Sequence, residues 1–151
     1  MDLIQLQRKH RDHHVAMLHE GFVDEQFNIV HNLQDESSPY FFIEILTMFF
    51  GDSEKLLNNM AQALNQKPMN FKSLDELVHQ YKGNCASVGA ARIQNVCINF
   101  KPFCEAQNLE GCIRCFQELQ QEYSLLKNKV QYLIKLQQEI QAAGASITKM
   151  K

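Results

Sequence analysis

An apolar pattern in the C-terminal part of the chain constrains its fold more than any other feature. The apolar residues recur at alternating steps of three and four, which places them on one stripe of an α-helix. They are Leu109, Cys112, Phe116, Leu119, Tyr123, Leu126, Val130 and Leu133, with Ile140 extending the stripe. Such a stripe is typical of the seam along which helices pack in a bundle. We predict a helix about 50 Å long at about 1.5 Å per residue, from near Asn108 to a cap at Gly144, followed by a loose tail.

Further helices are predicted before this seam. A first helix spans about 3–19 and a second, short one about 22–33. Ser38 and Pro39 read as a strong helix start, a capping hydroxyl before a proline. The long helix that opens there contains Gly51, which could break it.

Two more helices lie between the long helix and the seam. Ser73 and Glu76 have the spacing of a capping box for a helix that turns over near Gly89. The next helix carries Pro102, which we expect to kink or shorten it.

Length and composition agree with a helical domain. The chain has 151 residues, enough to bury a sizeable core. It has no tryptophan, three prolines and six glycines, which favours helices over sheet. We predict an all-α fold in a single domain of residues 1–151, with an up-down four-helix bundle at about 39–143 and two additional N-terminal helices at about 2–34.

Charge and hydropathy argue against two classes of partner. A net charge of −2 provides no basic surface for nucleic acid. No apolar run approaches the roughly 20 residues of a membrane span. The N-terminus has no basic region followed by an apolar run, so we expect no signal peptide and an intracellular protein.

The segment 74–90 places a histidine on the polar face of a helix. Its apolar residues form one stripe: Leu74, Leu77, Val78, Tyr81, Cys85 and Val88. At about 100° per residue, His79 lies about 140° from the centre of that stripe, so it faces solvent. Gly83 and Ala86 follow on the same face and leave that flank almost free of side chains. Lys82 can bring its ammonium to an anion on the ring.

This arrangement suits nucleophilic chemistry by an imidazole. An imidazole with an ordinary pKa of about 6.5 is mostly neutral at neutral pH, so one ring nitrogen keeps a lone pair for attack on phosphorus. A glycine inside a helix costs about 1 kcal/mol relative to alanine, so Gly83 suggests a close approach by another molecule. The alternative is that His79 is an ordinary solvated residue, and spacing alone does not decide between the two.

The residues around His79 resemble a known family. The run 78–83 and the run 87–90 resemble the histidine-containing phosphotransfer proteins of plant two-component signalling. Other stretches resemble the same family in the expected order, at 20–27, 49–54, 103–105 and 110–115. The resemblance implies that the long helix continues past Gly51.

The resemblance implies specific roles for three residues. His79 is the phosphorylated residue, Lys82 interacts with the phosphoryl group, and Gly83 leaves room for the partner. Where the family usually has leucine before the lysine and a run of serines after the glycine, this chain has Tyr81 at the first position and keeps only Ser87 of the serines. His79 itself is present, unlike in pseudo-members that lack it.

A phosphocarrier rather than an enzyme is what the resemblance implies. His79 would accept a phosphoryl group from the receiver-domain aspartate of a hybrid sensor histidine kinase and pass it to response-regulator aspartates in cytokinin signalling. The receiver would supply Mg²⁺, so we expect no cofactor and no metal on this chain, and a monomer in the cytoplasm and nucleus. The alternative is a non-phosphorylated helical interaction module, in which Tyr81 or Asn84 obstructs transfer.

Cysteine and histidine pairs elsewhere have two interpretations. The five cysteines fall mostly at apolar helical positions and are predicted to be buried thiols, although Cys112 and Cys115 have the spacing of a zinc or redox motif. His10 and His14 have the spacing of metal ligands on a helix. Without a companion glutamate motif, a solvated face is the preferred interpretation.

Overall fold

The computed structural model describes residues 1–150, which contain six α-helices. They are α1 (Leu3–His19), α2 (Glu25–Asn32), α3 (Phe41–Asn65), α4 (Phe71–Val88), α5 (Ala91–Glu105) and α6 (Leu109–Ala142). These residues contain no strand, so the all-α prediction is confirmed. None of the six helices combines the length and the apolar character needed to cross a membrane.

Helices α3 to α6 form the bundle that the apolar seam predicts. Helix α4 packs on α3 and α5, and α6 packs on the same two helices. The seam residues of α6 are buried, except Leu109 in its first turn. Helix α1 packs along α6, and the short α2 contacts α3 and α4. The N-terminal pair therefore lies beside the bundle, as predicted.

Helices α3 and α5 both continue through residues that can interrupt a helix. Helix α3 passes Gly51 without a break, as predicted. Helix α5 reaches Glu105 with Pro102 inside it, so the proline does not shorten the helix. A proline removes the hydrogen bond to the carbonyl four residues earlier, here that of Ile98. Ile98 and Pro102 are both exposed, so the lost bond lies on the side of α5 that faces water.

The start of α3 differs from the prediction. Ser38 and Pro39 do not begin the helix, which starts at Phe41 without a side-chain cap. The two residues belong instead to a tight turn, in which Asp35 Oδ1 accepts hydrogen bonds from the backbone amides of Ser37 and Ser38 at 2.9 and 3.0 Å. The aspartate thus uses the Ser38 amide for a turn before any helix can begin.

The start of α4 also differs, whereas the start of α6 is as predicted. Asn70, not Ser73, caps α4: its side chain accepts a hydrogen bond from the Ser73 amide at 3.1 Å. The spacing between Ser73 and Glu76 is therefore not a capping box. Asn108 caps α6 in the same way, accepting from the Gly111 amide at 3.0 Å. Asparagine is among the best residues for this position.

The C-terminal tail after α6 is packed rather than loose. Ala145 and Ile147 pack on a small apolar cluster between α1 and α6. The Met150 amide donates a hydrogen bond to Asn32 Oδ1 at 2.8 Å. The prediction of a loose tail is wrong because α1 and α6 leave an apolar site that Ile147 occupies.

Gly89, at the end of α4, lies against the start of α2, where no side chain fits. It ends α4 in the left-handed conformation, with φ of +77°. A Cβ there would lie 2.3 Å from the backbone nitrogen of Phe27 and 2.6 Å from Asp24 Oδ1. The Gly89 carbonyl accepts a hydrogen bond from the Asp24 amide at 3.1 Å. This close approach fixes α2 against the end of α4.

Gly89→Ala is expected to lower the free energy of unfolding by about 2–4 kcal/mol, because alanine would combine a left-handed conformation with a backbone clash. Gly21→Ala is the matched control. Gly21 also has a positive φ, +75°, but a Cβ there would meet no atom within 4 Å, so we expect a loss of only about 1–2 kcal/mol. Denaturant unfolding measures both variants. Equal losses would show that α2 does not depend on the missing side chain of Gly89.

Candidate functional site

His79 lies in the middle of α4, on its exposed face. The opposite face of α4 is buried in the core and consists of Leu74, Val78, Tyr81, Cys85 and Val88. The prediction that His79 faces solvent is confirmed, and the apolar stripe is the reason. A helix packed along one whole face holds the imidazole outward on a rigid element.

The flank of His79 toward the end of α4 is open. Gly83 lies one turn further along and is exposed, and a Cβ there would meet no atom within 4 Å outside the adjoining helix backbone. Gly111 shows the opposite case, since a Cβ there would lie 2.2 Å from Phe103 Cδ1. Packing of α5 on α6 requires Gly111, but nothing inside the described chain requires Gly83. The space beside His79 is therefore available to another molecule.

A shallow depression borders His79 on the α5 side. Its volume is about 60 Å³, whereas pockets for small organic ligands have roughly 300–1,000 Å³. A reaction partner of His79 must therefore approach as a surface and not as a buried small molecule. The depression is lined by Asp75, Val78, His79 and Lys82 from α4 and by Cys97, Ile98 and Lys101 from α5.

The two lysines at this depression differ in their electrostatic surroundings. Lys101 Nζ lies 3.3 Å from Asp75 Oδ2 and 3.4 Å from Glu105 Oε1. These carboxylates raise the pKa of Lys101, and the hydrogen bond to Asp75 has the largest effect. Within residues 1–150, Lys82 takes part in no ion pair. Lys82 therefore has its full charge available, while Lys101 offsets the charge of Asp75.

Ile98 and Lys101 were not predicted from the sequence. Helices α4 and α5 are antiparallel neighbours joined at Gly89, so residues at similar distances from that turn lie side by side. His79 is consequently level with the part of α5 that carries Ile98 and Lys101. Ile98 is 49% exposed and adds apolar surface next to the imidazole. The predicted up-down order of the helices was the signal that could have located both residues.

The part of the chain that contains this site matches a known protein family. Residues 44–129, which include His79, match the Hpt domain. Histidine-containing phosphotransfer protein 1 of Arabidopsis thaliana is 45% identical over 147 residues, covering 97% of this chain and 96% of that protein. The chain belongs to the histidine-containing phosphotransfer family.

A solved structure of the same family has the same fold. The crystal structure of a histidine-containing phosphotransfer protein from Medicago truncatula is 64% identical in sequence and superposes with a TM-score of 0.88. It covers 93% of this chain and 96% of its own. The chain is accordingly a phosphorelay mediator, a phosphocarrier and not an enzyme.

Identity alone does not separate phosphotransfer proteins from pseudo-members of the family. Pseudo histidine-containing phosphotransfer protein 1 of Oryza sativa subsp. japonica is 42% identical over 126 residues, which is 83% of this chain and 67% of that protein. That figure is close to the 45% of the Arabidopsis protein. The distinction therefore depends on the site itself, where this chain presents an exposed histidine.

The tyrosine beside Lys82 does not obstruct His79. Tyr81 is 0% exposed and stacks on Phe49, with ring centroids 6.3 Å apart. Burial raises the pKa of its hydroxyl, so the phenol stays protonated in the core. The alternative in which Tyr81 blocks transfer fails, because the side chain points into the bundle.

The cysteines are buried free thiols, as predicted. Burial raises the pKa of Cys115 to about 11 and raises those of Cys104 and Cys112. Thiols with raised pKa values are poor nucleophiles. Among residues 1–150, no group of three or more histidine, cysteine, aspartate or glutamate side chains is arranged to hold a metal ion.

The prediction of a solvated face for His10 and His14 is wrong. The two side chains are 4% and 0% exposed. They belong to the buried stripe of α1, between Leu6 and Met17. Because histidine counts as polar in a hydropathy pattern, the stripe could not be recognised from apolar residues alone.

Proposed function

We propose that His79 carries a phosphoryl group between aspartates on two partner receiver domains. It takes the group from the receiver of a hybrid sensor histidine kinase and passes it to the receiver of a response regulator. One observation carries the proposal: an exposed imidazole on a rigid helix face, with open space at Gly83 and, nearby, the ammonium of Lys82, which forms no ion pair within residues 1–150.

Each step moves the phosphoryl group between a ring nitrogen and a carboxylate oxygen. The lone pair of a neutral imidazole nitrogen attacks phosphorus, the bond between phosphorus and the aspartyl oxygen breaks, and the carboxylate leaves with the bonding electrons. Lys82 balances the negative charge that arrives on His79. Lys101 holds the Asp75 carboxylate and so reduces its repulsion of the phosphoryl group.

The partner receiver supplies the aspartate and the Mg²⁺ in this proposal. Magnesium in proteins prefers several oxygen ligands in an octahedral arrangement. Within residues 1–150, Asp75 is the only carboxylate that lines the depression beside His79, and that group already pairs with Lys101. The residues around His79 therefore do not fit a magnesium site of their own, and no cofactor is proposed for this chain.

The receiver docks across the exposed face of α4 and the adjoining part of α5. Ile98 provides apolar contact beside the reacting ring, and Gly83 lets the partner surface close over it. We propose that the chain acts as a monomer in the cytoplasm and nucleus, in cytokinin signalling. The plant phosphotransfer relatives support the phosphorelay role in this proposal.

A two-step transfer assay tests the function. A receiver carrying labelled aspartyl phosphate is mixed with the chain in Mg²⁺, and the labelled chain is purified and offered to an unlabelled response-regulator receiver. We expect the label to move to the chain and then to the regulator. A chain that binds both receivers and never takes up label would be an interaction module instead.

Lys82→Ala is expected to slow transfer to His79 by about tenfold to a hundredfold, because a hydrogen bond to a charged group contributes about 1.5–3 kcal/mol. The melting temperature should change little, since Lys82 makes no ion pair within residues 1–150. Lys55→Ala, which removes an exposed lysine of α3, is the control. Rapid-quench transfer rates compare the two variants. Identical rates in both would show that Lys82 is merely solvated.

A further inference from the structure

Three buried histidines meet where α1 packs against α2. His10 and His14 come from α1 and His31 from α2, with exposures of 4%, 0% and 1%. The His31 ring centroid lies 5.6 Å from that of His10 and 4.8 Å from that of His14. We call these three residues the histidine cluster. They take no part in the chemistry proposed for His79.

Within residues 1–150, each ring of the histidine cluster has a buried nitrogen without a hydrogen-bond partner: Nε2 of His10, Nδ1 of His14 and Nε2 of His31. His14 donates its other ring N–H to Asn28 Oδ1 at 2.6 Å. His31 donates through Nδ1 to Asn32 Oδ1 at 3.3 Å. In these two rings the unpartnered nitrogen is therefore the one that can take up a proton. The resulting N–H would find no acceptor among residues 1–150 while α1 is packed on the molecule.

Among residues 1–150, no carboxylate lies against the histidine cluster to stabilise a positive ring directly. Glu25 of α2 reaches it only through Asn28, to which it is bonded at 3.2 Å. Helix α3 presents the aromatic ring of Phe42 to His31 at 5.0 Å, and Leu136 and Ile140 of α6 meet α1 through apolar contacts.

Several charged or titratable groups near the histidine cluster are cationic or potentially so. His13 of α1 lowers the pKa values of His10 and His14. Arg8, Arg11 and Lys149 line the groove between α1 and the tail that His10 also borders. These groups oppose any further positive charge on the rings.

The protonated rings are strongly disfavoured while α1 is packed. Burial is the largest cause, and it lowers the pKa of His10 to about 4 and that of His31 to about 3. The pKa of His14 is lowered for the same reason. When α1 is detached from the molecule, the pKa values of the rings return to about 6.5. Packing of α1 is therefore fully stabilised above about pH 6.5 and loses stability as the pH falls from there toward the folded-state values.

Imidazole rings form a large part of the buried face of helix α1. Its buried side chains are Leu6, His10, His14 and Met17. Half of that face is thus imidazole, which contributes to packing only while it is neutral. The bundle core of α3 to α6 is apolar by comparison, and no histidine lies in it. As the pH falls, the packing of α1 should consequently lose stability at a higher pH than the bundle does.

We infer that the histidine cluster is an acid-sensitive latch, which holds α1 on the molecule at neutral pH and releases it when the imidazoles are protonated. Release uncovers the apolar surface of α6 beneath α1 and frees the tail that packs on Leu6 and Ile140. The bundle helices α3 to α6, including His79, stay folded.

Amide hydrogen exchange on the full chain tests the latch. Protection factors, which correct for the intrinsic effect of pH, are compared at pH 7.5 and pH 5.5. We expect protection in α1 to fall by about tenfold for each cluster histidine that the open state protonates, at least a hundredfold in all. Protection in α4 and α5 should stay within about threefold.

The double variant His10→Leu with His31→Leu should keep most of its α1 protection at pH 5.5, losing only about the tenfold due to His14. His19→Leu, which removes an exposed histidine of the same helix, should behave as the parent. Equal protection of parental α1 at both pH values, or simultaneous loss in all helices, would overturn the latch. If the double variant does not fold, ring titration by NMR in the parent decides: cluster rings that titrate near pH 6.5 while α1 stays protected contradict it.

Discussion

His79→Gln is expected to remove all label from the chain in the receiver assay. Glutamine is polar and fits an exposed helix position, so the circular dichroism spectrum and the melting temperature should match the parent. Its amide nitrogen has no free lone pair for attack on phosphorus, whereas a neutral imidazole does. The expected loss is therefore complete, limited only by detection.

His19→Gln is the matched control for this experiment. His19 is also exposed on a helix, at the last turn of α1, but it lies outside the depression that His79 and Lys82 line. This variant should take up label at the parental rate. Full labelling of the His79→Gln protein would place the acceptor elsewhere and remove the basis for the proposed relay.

Gly83→Leu is expected to block transfer while leaving the fold as stable as before or more so. Leucine has the higher helix propensity, by about 0.8 kcal/mol, and a Cβ at this position meets no atom within 4 Å. The side chain would stand one turn from His79, in the space through which the receiver closes over the ring. Thermal melting and the transfer assay should thus move in opposite directions, with transfer reduced at least about a hundredfold.

Gly51→Leu separates helix propensity from access. Gly51 is likewise an exposed glycine inside a long helix with no atom near its Cβ position, but it lies on α3. This variant should gain similar stability and transfer at the parental rate. If Gly83→Leu also melts no lower and transfers at the parental rate, Gly83 is not an access feature and the docking geometry proposed for α4 is wrong.

The features that could be predicted from the sequence are those that depend on the repeat of residues along a single helix. The α6 seam repeats over many turns, and the position of His79 opposite Leu74, Val78 and Cys85 follows from the geometry of one helix. Helix ends at glycine could also be predicted. Gly89, for example, occupies the left-handed conformation that favours glycine.

Helix starts were harder to predict because several polar residues near each start could cap the helix. Ser38, Ser73 and Asn70 all have capping side chains, and sequence does not rank them. The structure shows Asn70 capping α4, while Asp35 draws the Ser38 amide into a turn. The choice depends on backbone geometry that the neighbouring elements impose.

Contacts between residues far apart in the sequence could not be predicted from the sequence pattern. Lys101 reaches Asp75 from a different helix, so their pairing depends on how α5 lies against α4. His10 and His14 are buried because His31 of α2 and the side of α6 cover them. None of these partners is within helical reach in the sequence, and polar residues give no apolar signal of burial.

Mapping the phosphoryl group on the labelled parent protein tests the central claim most directly. The chain has six histidines, and the histidine cluster accounts for three that are buried. After transfer from a receiver, the protein is digested at alkaline pH, where phosphohistidine survives, and the peptides are sequenced by mass spectrometry. The account predicts a single acid-labile phosphoryl group on the peptide that contains His79. A phosphoryl group on any other histidine, with His79 unmodified, would contradict it.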